Sequence, residues 1–540
     1  MPHAAQVMNL AQLLRQSARL FPRHTGLIHG ERRWTWAELD RRVDALVAAL
    51  RALGVGKGDK VLVHSRNNVQ MFESCWAAFR LGAVWVPTNF RLEPPEVAYL
   101  GSSSGAVVML CEQVFAPAHV DAVRAASSTL KQVVIIGATT RPGEWAYEAL
   151  VAQHLPAAGA QVEPVGPAEE ATVSADDPLW FFYTSGTTGR LKAGVLTHGQ
   201  MAFVVANHLA DLIPATDERD VSAAVAPLSH GAGIHMLLNV ARGAATVLMP
   251  GEKLEPEVFW RLVETHRISN LFTVPTIVKL LVEHPSVDAH DHGSLRYLIY
   301  AGAPMYRADQ KRALQKLGKV LVQYFGLGEV TGNITVLRRE MHSADDDDPS
   351  ANIGSCGQAR TGMEVTIFDA EMRRLPAGEV GEICCRGPAV FAGYHANPEA
   401  TAKALRGGWF HTGDLGRMDE RGLVYITGRE SDMYISGGSN VYPREVEEVL
   451  LTHPGIAEVA VLGVPDARWG EVGVAVVVRR PDAAPFDAAA VLAHLEGRTA
   501  KYRWPRHVFF WDTLPKSGYG KIAKKDLRER LLERGEVPRV

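Results

Sequence analysis

The run Tyr183-Thr184-Ser185-Gly186-Thr187-Thr188-Gly189, followed closely by Lys192, has the make-up of a phosphate cradle. Two glycines let the backbone curl so that amide hydrogens and hydroxyls converge on phosphate oxygens, and the lysine adds a point positive charge. The spacing is not that of a Walker loop, in which Gly-Lys-Ser/Thr must close the motif. Here Gly189 is followed by Arg190-Leu191-Lys192, which disfavours an ordinary P-loop NTPase. Taken alone, the run also reads as a flexible turn. The acidic stretch Asp345 to Asp348 reads as a solvated loop rather than a metal site, because adjacent carboxylates repel one another and are not pre-arranged.

The elements that must position this loop alternate along the chain. Thr35-Trp36-Ala37-Glu38 has the spacing of a capping box, and Leu39, Val43, Leu46, Leu50 and Leu53 continue on one helical face until Gly54. Lys60 to His64 reads as a buried strand, Val69 to Phe79 as a helix and Ala83 to Pro87 as another strand, a rhythm that predicts parallel sheets covered by helices. A second α/β stretch, from about Asp177 to Ser343, holds strand-like Leu179 to Tyr183, Ala245 to Met249, Asn270 to Val274 and Tyr297 to Tyr300. Between Ile353 and Ile426 short strands such as Glu364 to Phe368 and Glu382 to Cys385 predict a smaller β-rich subdomain. Beyond Gly428-Arg429-Glu430-Ser431-Asp432 come a helix (Pro443 to Leu451), two strands (Ala457 to Val464, Val472 to Val478) and another helix (Asp487 to Glu496). The expected fold is α/β, with a large N-terminal domain over 1–430 and a small α+β domain over 431–540.

Bulk properties narrow the function by exclusion. The chain has 540 residues, too many for one ordinary core, with 47% hydrophobic and 22% charged residues. A formal net charge of -3 gives no long-range pull toward nucleic acid or an anionic membrane. Five cysteines (Cys75, Cys111, Cys356, Cys384, Cys385) without a C-x-x-C pair suggest neither a disulfide framework nor a zinc site. No window offers the apolar length of a membrane span, and a soluble cytoplasmic enzyme is expected, with a homodimer left open.

Tyr183 to Lys192, with Thr197-His198 behind it, closely resembles the phosphate-loop signature of the adenylate-forming superfamily, which comprises acyl-CoA synthetases, amino-acid adenylation domains and luciferases. Further matches follow in that superfamily's order. They are Pro227-Leu228-Ser229-His230, Ala301-Gly302-Ala303-Pro304, Phe325-Gly326-Leu327-Gly328-Glu329, Trp409-Phe410-His411-Thr412-Gly413-Asp414, Gly428-Arg429, Ser436 to Pro443, and Pro515 to Lys521. Together they cover most of the chain.

The resemblance implies a role for each match. Gly302-Ala303-Pro304 and Gln323-Tyr324-Phe325-Gly326 would form the adenine slot, and Thr184 with Ser185 to Gly189 would hold the phosphates of ATP. Glu329 looks like the magnesium-coordinating glutamate, with Thr184 as second contact, since a hard divalent ion takes oxygen ligands. Asp414 would accept from the ribose hydroxyls and Arg429 would contact ribose or phosphate near the domain junction. Lys521 resembles the mobile lysine that bridges the acid and the α-phosphate, assisted by Lys192. Ser436, Gly437 and Gly438 would approach in a second conformation to pass the pantetheine of CoA, with the hinge at Glu430 to Asp432. His230, Gly231, Ala232, Gly233, Ile234 and Val274-Pro275-Thr276 would line the acyl pocket, His230 as a gate or as a satisfied core histidine.

Three positions depart from the superfamily's pattern. Gly328 replaces a threonine whose hydroxyl touches the α-phosphate, removing a hydrogen bond worth roughly 0.5 to 1.5 kcal/mol. Leu191 and Ala193 replace a proline and a glycine in the loop, and Ser431 stands where Asp or Lys is usual at the hinge. No aspartate near Leu228 to His230 is placed to hold a substrate ammonium, as an amino-acid adenylation domain would need. The expectation is an ATP-dependent acid:CoA ligase using magnesium and acting on a fatty or aryl-type acid. The alternatives are an adenylating enzyme without CoA transfer and a non-catalytic acyl- or nucleotide-binding protein.

Overall fold

The computed structural model describes residues 7–139, 141–155, 170–185, 191–303, 305–429, 431–436, 439–466, 469–516 and 522–537. The predicted capping box forms: Thr35 Oγ1 accepts from the Glu38 amide at 3.3 Å and Glu38 Oε2 accepts from the Thr35 amide at 2.7 Å. It starts the helix Trp36–Ala52, which buries Leu39, Val43, Leu46 and Leu50. The strands Lys60–His64, Val84–Pro87 and Tyr297–Tyr300 lie where β-branched and aromatic runs predicted them.

Two large sheets carry the front of the chain. Among the described residues the first has seven strands, in the order Glu144–Ala146, Gln132–Ile136, Val108–Glu112, Lys60–His64, Val84–Pro87, Pro178–Ser185, Leu191–Thr197. All neighbours are parallel except the last pair, which is antiparallel and sets Thr184 opposite Lys192 and Ser185 opposite Leu191. The sequence ends this strand at Tyr183 and gives Thr184 and Ser185 to the phosphate loop. The strand instead continues through Thr184 and Ser185, because pairing with Leu191–Thr197 satisfies their backbone groups.

The second sheet has nine described strands and a parallel centre built from Ala245–Leu248, Val221–Ala224, Asn270–Thr273, Tyr297–Tyr300 and Leu321–Phe325. Leu321–Phe325 then pairs antiparallel with Thr335–Leu337, and the short 3-10 turn Gly328–Val330 lies in the connection between them. One hydrophobic core takes Val61, Trp85 and Trp180 from the first sheet and Phe272, Ile299 and Val336 from the second. That shared core fixes the separation between the two strand edges that bring Thr184 and Glu329 together.

The predicted β-rich segment is a four-stranded antiparallel sheet of Glu364–Phe368, Gly381–Arg386, Phe410–Met418 and Val424–Arg429. Residues from Tyr434 onward build another sheet, centred on Ile456–Asp466 and Gly470–Arg479. Its strands are apolar at successive positions because both faces are covered. Val459, Val461, Ala475 and Val477 face the helices Pro443–Leu450 and Ala488–His494, while Ala460, Leu462, Val474 and Val476 face Lys524–Glu533. No described helix is long and apolar enough to cross a membrane.

Candidate active site

Glu329 sits in the Gly328–Val330 turn and is 5% exposed. Two hydroxyls converge on the same carboxylate oxygen: Thr184 donates to Oε1 at 2.8 Å and Tyr394 donates to Oε1 at 2.9 Å. Both donors are neutral, so the hydrogen bonds stabilise the ionised carboxylate without cancelling its charge. Burial, and after it the charge of Glu329, holds the Tyr394 phenol well above its ordinary range, so the hydroxyl keeps its proton to donate. Lys192, directly opposite Thr184 in the hairpin, places its Nζ 5.4 Å from the centre of the Tyr394 ring. Hydroxyl and carboxylate oxygens 2.8 Å apart suit a hard divalent cation, and magnesium takes only one or two protein oxygens when phosphates supply the rest.

Gly328 explains itself by what surrounds it. A Cβ there would lie 2.6 Å from the Phe182 ring and 2.8 Å from Thr184 Cγ2, so the threonine expected from the superfamily cannot fit beside this phenylalanine. Phe182 also packs on the His230 ring, with centroids 4.5 Å apart. Phe182 and Gly328 are thus complementary, and the departure at 328 is matched by the packing around it.

The residues expected to form the adenine slot at Gln323 to Phe325 divide between two faces of one strand. Gln323 Oε1 accepts from Tyr300 at 3.1 Å, and Phe325 follows two residues later on the same face. Tyr324 turns the other way, 8% exposed, and its ring stacks on Phe272 with centroids 5.7 Å apart. Its side chain is packed in the core, away from the face that Gln323 and Phe325 share, and only its backbone stays with them. Gly302 has φ +82°, a left-handed conformation that favours glycine, and Ala303 and Gly326 flank the same strand ends. His230 caps the helix Gly231–Val240, whose Ala232, Gly233 and Ile234 are buried.

Asp414 and Arg429 are register partners on adjacent strands of the four-stranded sheet. Arg429 Nε donates to Asp414 Oδ1 at 3.1 Å; the aspartate side chain is 8% exposed and the arginine 50%. The strand carrying Asp414 is braced by Glu382, which accepts from the Gly413 amide at 3.0 Å, from His411 Nδ1 at 2.7 Å and from Arg406 at 2.8 Å. Cys384 lies 3.3 Å from the same His411 nitrogen. With an arginine already on Glu382, this Glu-Cys-His group reads as a structural brace.

Gly186, Thr187, Thr188, Gly189, Pro304, Gly437, Gly438, Lys521 and, at the expected hinge, Glu430 lie outside the described residues. Ser185 and Leu191 close the hairpin on either side of the loop, and Ser436 pairs with Ser439 around the two glycines. Lys516 pairs with Ile522 around the segment holding Lys521. Sequence reading missed Tyr394, Phe182 and Glu382. A tyrosine or glutamate inside a run of ordinary strand and turn residues carries no local signal of a partner 65 or 31 residues away.

The chain matches the AMP-binding enzyme family over residues 14–395 and the AMP-binding enzyme C-terminal domain over 445–521. It is 38% identical over 515 residues to a feruloyl-CoA synthase of Amycolatopsis sp, covering 95% of this chain and 97% of that one. It is 34% identical over 525 residues to a long-chain-fatty-acid–CoA ligase of Mycobacterium tuberculosis, covering 97% and 98%. Among solved structures it resembles the anthranilate CoA ligase AuaEII in complex with anthranoyl-AMP, with TM-score 0.86, 25% identity and 98% of each chain covered. It also resembles ATP-bound MatB from Rhodopseudomonas palustris, with TM-score 0.83, 30% identity and 96% and 99% covered. With its hairpin and its buried Glu329 carboxylate inside the first matched span, this chain belongs to the adenylate-forming superfamily of AMP-binding enzymes.

Proposed function

We infer that the protein is an ATP-dependent, AMP-forming acid:CoA ligase that acts on a fatty or aryl-type carboxylic acid. The observation that carries the reading is the buried Glu329 carboxylate, held on one oxygen by Thr184 and Tyr394 beside the hairpin whose tip is the Thr/Ser/Gly run. Relatives that are ligases of ferulate, long-chain fatty acids and indoleacetate support the thiol as second substrate and the breadth of the acid class. The aromatic wall of Phe182 and His230 favours an aryl acid.

In the proposed chemistry the acid's carboxylate attacks the α-phosphorus of ATP and pyrophosphate leaves, giving an acyl-adenylate. The thiol of CoA then attacks the acyl carbon and AMP leaves. Negative charge spreads over phosphoryl oxygens in the first step, and Lys192 and Lys521 are the cationic side chains assigned to it. Glu329 and Thr184 would hold magnesium, which supplies charge neutralisation at the departing pyrophosphate. Asp414, its charge balanced by Arg429, would accept from ribose hydroxyls, while Gln323 and Phe325 would frame the adenine. Hydrophobic enclosure around Phe182, Trp180 and Phe272 keeps water from the activated acyl group.

The division at 430/431 belongs to the same proposal. Lys521 would serve the first step and the Ser436 to Gly438 turn the second, exchanged by rotation about Glu430 to Asp432. Lys521→Ala should then abolish adenylate formation while sparing thioester formation from pre-made acyl-adenylate; equal loss of both steps would count against rotation. A cytoplasmic location is proposed from five cysteines that are all free and buried. The ligase reading is tested by mixing the protein with ATP, magnesium, CoA and a panel of aryl and fatty acids, measuring AMP and acyl-CoA together. Adenylate without acyl-CoA would sink it.

A further inference from the structure

The segment from Phe391 to His395 grips both halves of the ATP site, which come from separate sheets. The Phe391 amide donates to the Glu329 carbonyl at 2.8 Å, fixing the backbone of the 3-10 turn. On its other side the segment runs along the returning strand of the hairpin. The Ala392 amide donates to the Val195 carbonyl at 3.1 Å, the Val195 amide to the Gly393 carbonyl at 2.9 Å, and the His395 amide to the Ala193 carbonyl at 2.9 Å. Tyr394 stands at the middle of this clamp, its own amide held by Thr401 Oγ1 at 2.9 Å.

The Tyr394 side chain repeats the same bridging. Its hydroxyl donates to Glu329 Oε1, the oxygen that Thr184 also reaches, and its ring lies under Lys192 Nζ at 5.4 Å, within cation–π range. Two donors on one oxygen fix the carboxylate's rotation, and neither engages Oε2. A rotationally fixed carboxylate binds a divalent ion without losing side-chain freedom at the moment of binding.

We propose that Tyr394 is the positioning residue of this site: its hydroxyl sets Glu329 for the nucleotide-bound cation, and its ring holds Lys192 on the phosphate side. The proposal rests on the ligase reading for the identity of the nucleotide, and its test needs neither acid nor turnover. ATP binding to the full chain is measured by calorimetry with magnesium and again with EDTA. Tyr394→Phe keeps the ring and the backbone clamp and removes one hydrogen bond to a charged group. It should weaken ATP binding five- to tenfold with magnesium and leave binding in EDTA unchanged.

Tyr394→Leu, which also removes the ring, should weaken binding further, and in both titrations, because Lys192 loses its support. Unchanged magnesium-dependent binding in Tyr394→Phe overturns the proposal. So does equal weakening with and without magnesium, which a merely structural role would produce. Wild-type protein that binds magnesium-ATP yet releases no pyrophosphate on the acid panel counts against the ligase reading alone, and the Tyr394 comparison still stands or falls on the titrations.

Discussion

Glu329 and Asp414 are both buried carboxylates, yet their partners differ in kind. Glu329 receives two neutral hydroxyls on one oxygen, from Thr184 and Tyr394. Asp414 is paired with the guanidinium of Arg429, which offsets its charge while leaving oxygen lone pairs for acceptance. A charged, fixed oxygen suits a cation, and a charge-balanced acceptor suits the hydroxyls of a sugar. The difference in partner chemistry thus separates two roles that residue type alone does not.

Breaking the first centre should have the largest effect. Glu329→Gln keeps the shape and removes the charge, so pyrophosphate release in the presence of acid and ATP should fall by about 10²- to 10³-fold, as for loss of one electrostatic group at a reacting centre. A loss no larger than that of Asp414→Asn would collapse the contrast between the two carboxylates.

Next comes the packing that supports the same centre. Gly328→Thr forces a side chain into the Phe182 ring and Thr184, and overpacking of this kind costs about 1 to 3 kcal/mol. Adenylation should drop about ten- to a hundredfold, and Phe182→Leu combined with Gly328→Thr should recover about tenfold. A double variant no better than Gly328→Thr would show that the two positions are not complementary.

Asp414→Asn should act mainly on nucleotide affinity, raising the KM for ATP about tenfold with a smaller change in kcat, since one hydrogen bond to a charged group is worth about 1.5 to 3 kcal/mol. Steady-state kinetics at saturating acid would check it; a fall in kcat alone would place Asp414 with Glu329.

The smallest effect per group is on stability. Burial lowers the pKa of His64 to about 3 and of His198, His235 and His342 to about 4, and all four lie against the two large sheets. Each is neutral when folded and gains a proton on unfolding below its ordinary value of 6.5. Stability is therefore complete above about pH 6.5 and declines as pH falls toward 4, by at most about 1.4 kcal/mol per histidine at pH 5.5. Melting curves from pH 8 to 5 should fall in that window; a flat profile would mean the buried histidines are rehydrated.

Much of this was legible in the residues. The capping box at Thr35, the strands at Lys60 and Tyr297, and the switch to antiparallel β structure after Ile353 are local patterns, and period and capping chemistry are local physics. The ordered motifs named the superfamily and most of the candidate residues because each motif is short and contiguous. Sequence could not assign Tyr394 to Glu329, explain Gly328 by Phe182, or tell that Tyr324 turns into the core while Gln323 and Phe325 share the opposite face. Those facts depend on how two sheets are spaced by a common core and on where a crossing segment meets both, which is set by long-range packing. The chain's own order thus determined which chemistry was available. Only the tertiary structure decided which partners each carboxylate meets, because those partners are brought in from 145, 65 and 15 residues away.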